Sequence, residues 1–463
     1  MKYFKKNLFI IILTMVTISC KDQFLDEKPS SSIVNPTTLS ECQNLLDFSN
    51  VCNKTGALQQ VASDEYSIVS QQNFDALLTR TEKNAYLRLS DVYEDEINIG
   101  DWREPYRAVF YANSILGVLE SIPINSKNRS EHNHIKGQAL FVRAYAFYDL
   151  VKSFCAVYDE QTVNSELGIP LRMNAGINEI VDRSTLAESY DRIITDVNMA
   201  KELLSSENFS PLYRNRASRA SAFAFLARIY LNMGKYDLAL NEANEALKIH
   251  SKIIDYNGVS TTVIAPFSSN AEETIFYSSQ TFAYAALTAY TSRPSIAISQ
   301  DLMNLYDKDD LRLAVYFLKN PIGNWNMKRS YSEILYPFTG LATDEVILIK
   351  AECLARKGDI VNTLSTLNSF LPNRYSNKVA YVPLNATSKE EALALVLRER
   401  RKELVWRGHR WSDIKRFNRD GAGIILRRTM NNRTYELLPN SNSYIFPIPN
   451  DEILLSGIEQ NKR

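Results

Sequence analysis

Histidine is nearly missing from this chain, with four in 463 residues. His132 and His134 share the run EHNH, yet residues two apart on a helix face different directions. No third ligand is placed beside them, so a solvated surface pair is expected. HExxH, G-x-S-x-G, P-loop and helix-opening G-x-G-x-x-G motifs are absent too. The local signatures of zinc peptidases, serine hydrolases and nucleotide-binding enzymes are therefore missing. A glycosidase needs only two carboxylates at a set separation, and 53 acidic residues leave that class open. Net charge is lacking as well: 53 basic residues balance the 53 acids. Nothing draws the whole chain toward nucleic acid.

Cysteine is sparse, and no pair has metal-ligand spacing. Cys42 and Cys52 are near enough in sequence for a disulfide. Buried unpaired thiols are an equal reading, because Cys155 and Cys353 sit in helical apolar patterns. No cofactor or metal is implied.

Long apolar runs are limited to Leu8–Ile18, which is too short for a membrane span of roughly 20 residues. Lys2, Lys5 and Lys6 precede the run and Ser19-Cys20 ends it, as in bacterial lipoprotein signals. Residues 1–19 then read as a signal peptide and Cys20 as the lipidated first residue of the mature protein. Thr17 stands where such signals usually carry an aliphatic, and an ordinary cleaved signal is the alternative. Acyl chains contribute about 0.8 kcal/mol per buried CH₂, which makes such an anchor durable. The polar stretch 20–36 has little to bury and reads as a tether.

What is abundant is helical periodicity. Apolar residues recur at three- and four-residue intervals in 103–121, 135–157, 185–205, 217–249, 343–370 and 388–407. The segment Phe223–Ile249 fits a tetratricopeptide pattern, with Phe223, Leu226, Ala227, Tyr230 and Ala239 at the large, small and aromatic positions. Gly234 falls at its turn, followed by Tyr236, Ala243 and Ala246. Fainter copies begin near Glu345 and Gly137; the first puts Thr363 where alanine is expected, and the second lacks the turn glycine. Such repeats stack, since none buries its faces alone. Between them, 251–343 and 64–102 carry β-prone pieces, polar connections and exposed-looking aromatics at Phe282, Tyr284, Tyr290 and Trp325.

The densest stretch is KELVWRGHRWSDIKRF, 402–417. An apolar stripe upstream, with RERRK on the wet side, predicts a helix ending at a left-handed Gly408. Pairs Glu399–Lys402 and Glu403–Arg407 are expected along it. Trp406 and Trp411 are expected buried, with Arg410 or His409 against a ring or carboxylate. No base–nucleophile pair is present, so the stretch reads as structure.

RERRKELVWRGHRWSDIKRF resembles the C-terminal hallmark of the SusD/RagB family, outer-membrane nutrient-binding lipoproteins of Bacteroidetes. YIFPIPNDEILLSGIEQN at the end does so too, as do, in order, the Cys20 start with KDQFLDEKP, PYRAVFYANSIL, GQALFVRAYAFYDLVKSF and RSTLAESYDRIITDV. SFCAVYDEQTV at 153–163 departs from the family's usual loop. The resemblance implies one mainly α-helical domain, 37–463, in which tetratricopeptide-like repeats support a loop-rich half with a few short strands. It also implies a non-catalytic surface protein that caps a SusC-like TonB-dependent barrel and delivers an oligosaccharide or peptide. A sugar's C–H face packs on an aromatic ring while its hydroxyls need polar partners. On that basis Tyr66, Trp102, Tyr284, Tyr290 and Trp325 are candidate platforms, and Asp64 and Arg80 candidate polar contacts. A surface glycan hydrolase and a purely structural partner of the barrel are the competing readings.

Overall fold

The computed structural model describes residues 36–176, 179–205, 211–290 and 294–463. The expected signal peptide, Cys20 and the tether as far as Asn35 lie outside the described residues. No helix among the described residues is long and apolar enough to cross a membrane.

The periodic stretches are helices, and their ends follow from local chemistry. Leu186–Leu203 begins on a capping box: Glu188 N–H donates to Thr185 Oγ1 at 3.1 Å, and Thr185 N–H returns to Glu188 Oε2 at 2.8 Å. The stretch 217–249 divides into Arg219–Met233 and Tyr236–Ile249. Gly234 makes that break at φ +78°, a conformation in which a Cβ is strained. Ala239, Ala243 and Ala246 are fully buried, and their small side chains let neighbouring axes approach. The fainter copy is Thr343–Lys357, a left-handed Gly358, and Ile360–Phe370. Thr363 is tolerated in its core because its hydroxyl donates to Asp359 O at 2.6 Å.

These helices stack in chain order. Gly100–Ser121 packs on Arg129–Phe154, which packs on Leu186–Leu203; the row continues through Arg219–Met233 and Tyr236–Ile249 to Thr343–Lys357 and Lys389–Glu403. Gly137 permits one close approach, since a Cβ there would meet Leu204 Cγ at 2.9 Å.

The other half is loop-rich, and short ladders stitch distant segments together. Tyr66–Ile68 pairs antiparallel with Ile296–Ile298, and Lys54–Thr55 runs parallel to Ser279–Gln280. Thr274–Phe276 pairs with Leu341–Ala342. The Tyr66–Ile68 ladder thus ties together the two regions that the sequence marks as irregular, 64–102 and 251–343.

The dense stretch is buried structure, with three corrections. The helix stops at Glu403 rather than at Gly408, and both Trp406 and Gly408 take left-handed backbones in the turn that follows. Glu403 therefore never meets Arg407; it pairs with Arg312 and Arg374, while Arg407 pairs with Asp344 at 2.6 Å. Glu399, Arg400 and Lys402 are buried, not wet. The expected Glu399–Lys402 pair forms at 3.4 Å, and the other partners come from elsewhere: Arg312 reaches Glu399 at 2.7 Å, and Lys402 reaches Asp310 at 2.6 Å. The expected tryptophan burial holds. Trp406 Nε1 donates to Thr288 O at 2.7 Å, and Trp411 lies between Tyr444 and Phe446. The C-terminal Gln460 and Asn461 close that layer, Gln460 by paired bonds with Ile448 and Asn461 by donating to Phe154 O and Phe446 O.

His132 is also corrected. It is buried, with Nε2 3.0 Å from Leu119 O, so it is a helix-packing residue rather than a surface one. Cys42, Cys52, Cys155 and Cys353 are free and buried. Burial pushes the Cys42 thiol up to about 11 and Cys52 to about 12, as expected of inert thiols.

Candidate ligand-binding face

Three of the five candidate platforms are core. Tyr66 donates its hydroxyl to Val61 O at 2.8 Å and packs edge-on against Trp406. Trp102 meets Phe154 at 4.9 Å between centroids and donates Nε1 to Glu452 at 3.1 Å. Tyr290 is fully buried, and its hydroxyl accepts from Phe338 N–H at 3.2 Å. A ring covered on both faces offers nothing to a sugar, so these positions are corrected from platform to scaffold.

Tyr284 is half-buried and left-handed at φ +55°, with its hydroxyl beside Asp101. Its carbonyl accepts from Leu287 N–H and Thr288 N–H, both at 3.0 Å, so it starts a short helical turn. Trp325 is not in a loop. It lies in the hairpin of Phe317–Lys319 with Trp325–Met327, half-buried beneath Lys319 Nζ at 5.1 Å. Asp64 is committed to Arg410 through two bonds of 2.7 Å. Burial opposes the Asp64 charge, but Arg410 outweighs it and holds the carboxyl at about 2. Arg80 is exposed and ion-paired with Glu94 at 2.6 Å.

The exposed aromatic surface forms instead around Phe282, which is 55% exposed. Its ring lies 4.8 Å from that of Tyr336, tilted by 54°. Lys54 Nζ sits 4.0 Å over the Phe282 ring and 2.9 Å from Ser279 Oγ. Burial lowers the lysine to about 8. Backbone bonds fix all three parts: Thr281 N–H to Thr55 O at 2.8 Å, Gln280 N–H to Pro337 O at 2.9 Å, and Tyr290 N–H to Leu335 O at 2.6 Å. Tyr290 thus anchors the segment that presents Tyr336 through both its backbone and its hydroxyl.

Beneath the platform, Gly56 is required for space. A Cβ there would lie 2.5 Å from Asp101 Oδ1, the atom that caps the helix Leu58–Ala62 by accepting from Ala57 N–H and Leu58 N–H. Phe282 was legible as an exposed-looking aromatic. Lys54 and Tyr336 were not, since nothing local marks either of them.

Among the described residues, three carboxylates cluster, Glu273, Asp344 and Glu403, and all are deeply buried. Arg374 and Arg407 occupy them, and burial pushes Glu273 up to about 7. No glycosidic bond can reach that cluster.

Comparisons with known proteins place this architecture. Residues 23–231 match the family described as "Starch-binding associating with outer membrane", and residues 343–462 match the SusD family. SusD-like protein P2 of Formosa agariphila is 24% identical over 98% of this chain and 98% of its own. A putative sugar binding protein from Bacteroides vulgatus superposes with a TM-score of 0.73 at 23% identity, covering 92% of this chain and 99% of that one. A SusD superfamily protein from Bacteroides thetaiotaomicron gives 0.72 at 21% identity, over 92% and 100%. Matched in order at both ends and carrying the same helical fold through the middle, the chain belongs to the SusD family.

Proposed function

We propose that the chain is a non-catalytic surface protein of the outer membrane. It captures an oligosaccharide on the Phe282–Tyr336 face and hands it unchanged to a TonB-dependent transporter. The observation that carries this reading is the exposed Phe282 ring tilted against the half-buried Tyr336 ring, with a partly buried lysine beside them. Two rings at that spacing offer apolar faces to sugar C–H groups, while Lys54, held in place by the buried Ser279 hydroxyl, supplies a polar partner for hydroxyls. Relatives described as sugar binding or starch binding, and as associating with the outer membrane, support the same reading. Lipidation at Cys20 would hold the chain at that surface.

The test is calorimetric titration of a soluble form beginning at Lys21 with pooled glycans and, separately, pooled peptides, followed by analysis of each mixture for breakdown products. Binding of a glycan pool without breakdown supports the proposal, and Phe282→Ala should weaken it. Binding confined to peptides would replace the ligand class. Steady product release would make the protein a hydrolase and overturn the proposal.

A further inference from the structure

A second feature lies apart from the aromatic face. An open cavity of about 1020 Å³ is bounded by Tyr66–Ile68, the helices Lys389–Glu403 and Arg410–Arg419, and the strand Leu426–Met430. Seven arginines line it against three aspartates. Five of the seven have carboxylate partners. Among the described residues, no carboxylate pairs with Arg88 or Arg428, although each is more than nine-tenths buried. Removing a guanidinium from water without a counter-charge is costly.

The bonds these two arginines do make sharpen the point. Arg88 Nε donates to Ala62 O at 2.8 Å, and its Nη2 reaches Ser63 O at 3.5 Å. Arg428 Nη2 donates to Val61 O at 3.2 Å and also to Ser63 O. One guanidinium would suffice to cap the end of the helix Leu58–Ala62. Here two like charges converge on a single carbonyl oxygen. Arg88 Nη1 and Arg428 Nε and Nη1 have no partner among the described residues, and neither do Arg401 Nε and Ser299 Oγ on the same cavity wall. Asp64 acts on Arg88 through its charge, but this single carboxylate is already paired with Arg410 and Arg401 and cannot balance four guanidiniums.

Backbone geometry points the same way. Arg88 occupies φ +60°, ψ 39° at the end of the helix Arg80–Leu87, where glycine is the favoured residue. The local backbone would be better served without this side chain, so the requirement comes from the guanidinium. Arg428 is further fixed 3.6 Å over the Tyr86 ring, which holds its plane in place.

We propose that this cavity is a second binding site, for a ligand bearing a carboxylate or sulfate oxyanion, with Arg88, Arg401 and Arg428 as its anion contacts. Guanidinium forks match such oxyanions with paired donors, and an anion would relieve the repulsion between Arg88 and Arg428. The site is independent of the Phe282–Tyr336 face.

The full chain is titrated calorimetrically with sodium sulfate and, separately, sodium glucuronate, at an ionic strength held constant with sodium chloride. Glucose serves as the uncharged control. Saturable binding of at least one anion, without glucose binding here, is expected; the anion that binds identifies the oxyanion. Arg88→Gly and Arg428→Gln should each weaken it about tenfold or more, the equivalent of one charge-assisted hydrogen bond. Phe282→Ala should leave it unchanged. Arg88→Gly also relaxes the left-handed backbone, which keeps one variant informative if the other fails to fold. Absence of saturable binding by either anion overturns the proposal. So does anion binding that survives both arginine substitutions, or that vanishes with Phe282→Ala.

Discussion

Arg374 bridges Glu273 and Glu403: its Nη2 lies 2.8 Å from Glu273 Oε1 and its Nε 2.8 Å from Glu403 Oε1, and all three side chains are fully buried. The bridge joins the loop-rich half, through Glu273, to the end of the Lys389–Glu403 helix. Its Nη1 also donates to Ile254 O at 2.7 Å, so the guanidinium serves three segments at once. Arg374→Met would leave Glu273 and Glu403 buried beside Asp344 without this partner. Removing one member of a buried pair costs about 3–5 kcal/mol, and urea unfolding should show a loss of that size. A loss below about 1 kcal/mol would mean that the carboxylates simply take up protons and the bridge contributes little.

Stability should fall as the medium turns from mildly acidic to mildly alkaline, and Glu65 is the clearest cause. Its carboxylate accepts from Gln60 Nε2 at 2.9 Å and Trp406 N–H at 3.0 Å. Burial nevertheless raises it to about 7 from 4.5. The folded state thus holds a proton that the unfolded state has released. That stability is fully present below about pH 4.5 and is lost as pH rises through 7, on the order of 3 kcal/mol in all. Glu65→Gln, permanently neutral, should flatten the slope of melting temperature between pH 5 and 8. A remaining slope belongs to the other buried carboxyls, Glu273, which burial raises to about 7, and Asp101, which burial raises to about 6. An identical profile for wild type and variant would show that Glu65 is already ionised in the folded state.

The same residues mark what a sequence can and cannot disclose. Ala239, Ala243 and Ala246 announce a helix face because the helical period is local, and Gly234 announces its end for the same reason. The tryptophans of the 402–417 stretch were legible as core because bulk and periodicity agree there. Glu399, Arg400 and Lys402 were misread because charge alone suggests solvent, whereas their counter-ions Asp310, Arg312 and Asp413 arrive from other segments. The binding face was the least legible part. Lys54 lies against Ser279, and Phe282 against Tyr336, contacts that only tertiary pairing creates. Trp102 shows the converse: a tryptophan on a helix flank proved to be a buried donor to Glu452.

Trp411 separates scaffold from site. It is stacked on Phe446 with centroids 5.8 Å apart, it meets Tyr444 at 4.9 Å, and its Nε1 donates to Tyr444 O at 3.1 Å. Trp411→Ala opens a cavity against a layer clamped by Gln460 and Asn461, and such truncations cost about 3–5 kcal/mol. Thermal or urea unfolding should report that loss, while ligand affinity at temperatures where the variant stays folded should match wild type. Selective loss of affinity with normal stability would place Trp411 in the site after all.

Phe282 should behave in the opposite way. More than half of its surface already faces water, so Phe282→Ala sacrifices little burial and should shift stability by no more than about 0.5 kcal/mol. The ring is tilted against the half-buried Tyr336 and lies under Lys54, so its loss removes a stacking face and frees the lysine from its aromatic neighbour. An aromatic contact of this kind contributes about 0.5–1.5 kcal/mol beyond area, which predicts roughly a tenfold weaker glycan Kd once buried area is included. Tyr336→Ala should weaken binding comparably, and the double variant should lose less than the sum, since each ring helps to orient the other. Full additivity would mean that the rings act at separate subsites. Unchanged affinity in both single variants would move the sugar site away from this face altogether.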